Sequence, residues 1–131
     1  MGSADSETEP RRRPYRVYRE GSEPDPRFTL ANERTFLAWL RTALALMAGG
    51  VGIEALNAAQ GETGPLRTLL AVVLLVGGIL CSMTAFVRWA VTERALRTGS
   101  ALPAPRLAPV LGYGLAVIGI FACILVLVAG V

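Results

Sequence analysis

A chain of 131 residues that is 53% hydrophobic, with a mean hydropathy of +0.48, is too apolar for a soluble domain of its size. Its formal net charge is +3, and every basic side chain is arginine, with neither lysine nor histidine present. The missing histidine removes the commonest general base and metal ligand, which argues against catalysis and metal binding.

Residues 1–24 are polar, rich in Pro, Glu and Arg, and without hydrophobic periodicity. They read as a disordered cytoplasmic tail. The tail arginines Arg11, Arg12, Arg13, Arg16 and Arg19 suit a positive-inside anchor or contact with anionic headgroups. Glu7, Glu9, Glu20 and Glu23 dilute the patch, and no nucleic-acid partner is expected of so short and mixed a segment. The first apolar run is too long for a signal-peptide core, and Arg41 interrupts it, so it is expected to be retained.

The remainder, 25–131, is expected to be all-α: an integral membrane domain of three transmembrane helices in an antiparallel bundle. The spans fall at about 35–56, 66–91 and 109–131. Each has enough residues to cross a hydrocarbon core about 30 Å thick, and strand alternation is absent. Asp25 and Pro26 resemble an N-cap followed by proline at the first helical position. Gly61, Gly64 and Pro65 mark a turn between antiparallel helices, and Gly99, Pro103 and Pro105 stop the second helix from fusing with the third. Arginines flank the first span on its N-terminal side and return in the second loop as Arg94, Arg97 and Arg106, while the first loop holds only Glu62. That alternation places the N-terminus in the cytoplasm and the C-terminus outside.

Arginines entering a membrane helix are the main candidate site. A cation at mid-helix costs about 2.5–3.5 kcal/mol on insertion scales, so such residues mark functional positions by default. Arg27, Arg34 and Arg41 lie seven residues apart and drift only about 20° per step, so they share one helix face. Ala38, Ala45, Gly49 and Gly52 extend that face, whereas Phe36, Leu40, Ala43 and Met47 lie opposite. Small residues permit close helix approach, so the cationic and packing faces are expected to coincide, with Thr42 close by. Glu33 is expected to pair with an arginine on another helix or subunit. Arg88, beside Trp89 near the end of the second span, is the fourth candidate. Two readings stay open for these arginines: an interior cationic site, or anchors that snorkel to headgroups.

Residues 31–42, ANERTFLAWLRT, closely resemble the signature of the YidH-like membrane family, also called domain of unknown function 202. Asn32, Glu33, Thr35 and Thr42 support the arginines within that motif. Family relatives include the membrane subunits of the vacuolar transporter chaperone complex, which pass polyphosphate through the membrane. In that assembly several copies of a three-helix domain surround a pore lined by basic residues. The resemblance carries a pore position to Arg34, to Arg27 seven residues earlier, and loosely to Arg88; it carries none to Arg41.

Two functions follow as expectations. One is an oligomeric anion- or polyphosphate-binding, channel-like module of the inner membrane. The alternative is an accessory subunit of a membrane complex, with the arginines as lipid and assembly anchors. An enzyme is not expected: the chain lacks a paired-carboxylate face and a phosphate-cradling glycine loop. Cys81 and Cys123 sit in separate spans and suggest neither a disulfide nor a metal site, and no cofactor is implied.

Overall fold

A computed structural model describes residues 17, 21–61, 64–104 and 106–129. The expectations for 1–16 and 18–20, including the tail arginines, lie outside these residues. Three helices follow in chain order: α1, Pro26–Gln60; α2, Pro65–Thr98; and α3, Leu107–Ala129. No strand occurs among the described residues. All three helices are long and apolar enough to cross a membrane. With 35 and 34 residues, α1 and α2 are each about 50 Å long, so both extend beyond the hydrocarbon core.

The ends of the helices follow from local chemistry. The Asp25 carboxylate accepts the Arg27 N–H at 3.0 Å, and Pro26 occupies the position where a missing N–H costs nothing. Gly61 ends α1 and Gly99 ends α2, both in the left-handed region at φ 67°. The Gly99 and Ser100 amides both donate to the Ala95 carbonyl, which closes the last turn of α2.

The α1–α2 hairpin is held along a seam of small residues. Gly78 lies so close to α1 that an added Cβ would sit 2.6 Å from Met47 Cγ and 2.8 Å from the Ala43 carbonyl oxygen. At Gly50 an added Cβ would meet the Ala71 carbonyl oxygen at 2.7 Å. Cys81 Sγ donates to the Trp39 carbonyl at 3.7 Å, and Ala43, Ala71 and Ala85 are buried. On α1 the seam positions Thr29, Phe36, Ala43, Gly50 and Asn57 recur every seven residues, the repeat that keeps one stripe facing a partner helix.

This seam corrects the expected packing face. Ala45, Gly49 and Gly52 are exposed, and a Cβ at Gly52 would meet nothing within 4 Å. Ala43, expected on the opposite side, is 1% exposed and central to the contact. The arginine stripe and the packing seam therefore occupy different faces of α1.

At the turn end of the hairpin, Asn57 is buried and donates to Glu54 at 3.4 Å. Arg67 donates to Gln60 across the turn at 3.2 Å. Among the described residues the third helix packs on α2 alone, and none of its apolar stretch is buried within the chain. The architecture is thus a tight antiparallel hairpin with a lightly attached third span.

Candidate functional site

The end of the hairpin where α1 begins and α2 finishes carries the polar chemistry. Glu93 on α2 is 1% exposed. A buried carboxylate is costly unless donors meet it. Two do: Thr29 Oγ1 donates to Oε1 and Asn32 Nδ2 donates to Oε2, each at 3.3 Å. Asn32 also donates to the Trp89 carbonyl at 3.2 Å. One amide therefore ties α1 to both the backbone and a side chain of α2. Phe36 and Phe86 flank Trp89 with ring centroids 6.1 and 5.9 Å away, forming an aromatic layer beside this polar cluster.

Sequence reasoning missed Glu93, because it lies beyond the expected end of the second span. A signal was present. Folding the chain about the Gly61–Gly64 turn brings residues near 29–32 opposite residues near 89–93, so the motif asparagine must face a position on the final turns of α2.

Arg27, Arg34 and Arg41 are all exposed. Arg34 is two residues from both Asn32 and Phe36, about 200° around the helix from each, so it faces away from the seam. Among the described residues, no acidic side chain pairs with these three arginines. Glu33 is also exposed. Thr35 and Thr42 donate to the carbonyls of Ala31 and Ala38, four residues back, and so make local rather than interhelical bonds.

Arg88 stands apart from that stripe. It is half-buried, and its guanidinium carbon lies 5.7 Å from the centre of the Trp39 ring, a cation–π contact across the hairpin. The four candidate arginines therefore divide: three line the outer face of α1, and the fourth sits against α1 from α2. Farther along α2, the Ser22 N–H donates to the Arg97 carbonyl at 3.2 Å, docking the segment before α1 onto the end of α2. No group of three or more potential metal ligands occurs among the described residues.

Residues 27–95 match the family described as a domain of unknown function, DUF202. The chain belongs to the DUF202 family. The matched stretch takes in the whole seam, the Thr29, Asn32 and Glu93 cluster and all four candidate arginines, so the α1–α2 hairpin is what the family shares. The chain is 42% identical over 117 residues to the inner membrane protein YidH of Escherichia coli K12, covering 88% of this chain and 99% of YidH. It is 46% identical over 104 residues to the uncharacterized protein Rv2272 of Mycobacterium tuberculosis, covering 79% of this chain and 84% of that protein. No solved structure matches the chain.

Proposed function

We propose that this DUF202 protein is an inner-membrane binding module, not an enzyme, whose assembled copies present Arg27, Arg34 and Arg41 to a phosphate-type anion. One observation carries the reading. Three arginines at seven-residue spacing line an exposed face of α1, with no acidic partner among the described residues and directed away from the seam. Arginine suits phosphate because its planar fork binds two oxygens at once and stays charged. Rings of such side chains select anions once several copies surround a path. One hairpin and one loosely held helix enclose no path, so the reading requires oligomerisation. The resemblance to membrane subunits that pass polyphosphate supports a polyanion as ligand. The N-terminus lies in the cytoplasm and the C-terminus outside, as the distribution of arginines favours.

A second reading is an accessory subunit whose arginines anchor it to lipid and to a partner. The separation of Arg88 from the stripe favours it, since a shared ligand would draw the four together.

Reconstituted protein titrated with polyphosphate at two salt concentrations separates the readings. The anion module predicts saturable binding that weakens with salt and is lost in a folded Arg34→Ala/Arg41→Ala variant. Absence of binding by both proteins would leave the accessory role.

A further inference from the structure

Two chambers lie along α3, separate from the arginine stripe. One, of about 460 Å³, lies among all three helices and includes Trp39, Leu46, Gly77 and Leu115 in its walls. The other, of about 440 Å³, lies between α2 and the start of α3 and is bordered by Val87, Arg88, Val91 and Arg106. Leu80 and Thr84 line both, so the two form one continuous groove. The groove is apolar along its length and basic at one end, and among the described residues no acidic side chain lines it.

We infer that this groove binds one anionic phospholipid, with its phosphate between Arg88 and Arg106 and an acyl chain lying along the α2–α3 cleft. Charge complementarity selects the occupant. A second copy of an apolar helix would fill the cleft but leave Arg88 facing hydrocarbon. A phospholipid supplies both an apolar chain and an anion at the required end. Basic pockets between transmembrane helices are a recurrent form of lipid headgroup site. Trp39 already holds Arg88 in place by engaging its guanidinium face, which leaves the N–H edge for phosphate oxygens. Gly112 and Gly114 keep the α3 wall open, since a Cβ at either would meet nothing within 4 Å. The lipid also accounts for the light attachment of α3, because it fills the space that side chains leave between α3 and α1.

The test is retention of lipid by the full chain, purified in mild detergent from vesicles of equal phosphatidylglycerol and phosphatidylcholine and measured by native mass spectrometry. Wild type retains phosphatidylglycerol in preference. Arg88→Gln/Arg106→Gln lowers that retention about tenfold, the loss expected for one charge-assisted contact. Gly112→Leu, which fills the apolar end, lowers it without altering charge. Arg34→Gln/Arg41→Gln leaves it unchanged, which separates this site from the stripe. Inorganic phosphate at millimolar concentration does not displace the lipid. Equal retention of both lipids would overturn the inference. So would retention that is indifferent to both groove variants, or displacement by free phosphate.

Discussion

At the scale of single residues, Glu93 and Asn32 do most to define the hairpin's polar end. A buried carboxylate with one donor removed is left under-satisfied, at a cost of about 1–3 kcal/mol. Asn32→Ala removes the bond to Glu93 and the bond to the Trp89 carbonyl together, so it is expected to destabilise the hairpin by that amount or slightly more. Asn32→Asp is expected to be worse, because it replaces a donor with a second carboxylate. Thermal unfolding in detergent, compared with the exposed control Glu33→Ala, measures both. If Asn32→Ala unfolds with wild-type stability, the bridge does not hold the helices together. The importance of Asn32 was legible from its place in a polar motif at a membrane entry. Its partner was not, because nothing in the local sequence around Glu93 distinguishes a buried carboxylate from the exposed charge of Arg94 beside it. Only the pairing imposed by the turn singles it out.

At the scale of elements, the helices and their ends were readable because their signals are local: an aspartate before a proline, glycines at the stops, and apolar runs of spanning length. The seam was not readable, for a physical reason. A membrane helix is apolar all round, so periodicity does not mark its buried face, and α1 offers small residues on several faces at Ala43, Ala45, Ala48, Gly49, Gly50 and Gly52. Which of these packs is decided by the partner helix. The structure assigns the contact to Ala43 and Gly50, and this gives a paired prediction. Gly78→Val forces side-chain atoms toward Met47 and the Ala43 carbonyl and is expected to cost about 1–3 kcal/mol by overpacking. Gly52→Ala meets open space and is expected to be neutral or mildly stabilising, since alanine favours helix over glycine. Equal unfolding temperatures for the two variants would place the seam elsewhere.

At the scale of the whole molecule, the chain divides into a rigid hairpin shared with its family and a third span that, among the described residues, packs only on α2. The hairpin fixes the direction in which the arginine stripe points, and that direction is outward from the single chain. Orientation follows from the arginine count: Arg67, at the start of α2, is the one basic residue beside the first loop, against many at the other end. Reporters fused at each terminus are expected to place the N-terminus in the cytoplasm and the C-terminus outside; the reverse would put the stripe at the wrong surface for a cytoplasmic anion. The central claim is that the outward stripe lines a wet, anion-accessible surface in the assembled protein. Its most direct test is the reactivity of a single cysteine introduced at position 41, in a Cys81→Ala/Cys123→Ala background, toward a charged methanethiosulfonate in inverted membrane vesicles. The account predicts reaction without detergent and protection by polyphosphate. A thiol that reacts only after the membrane is dissolved would place position 41 in lipid and contradict it.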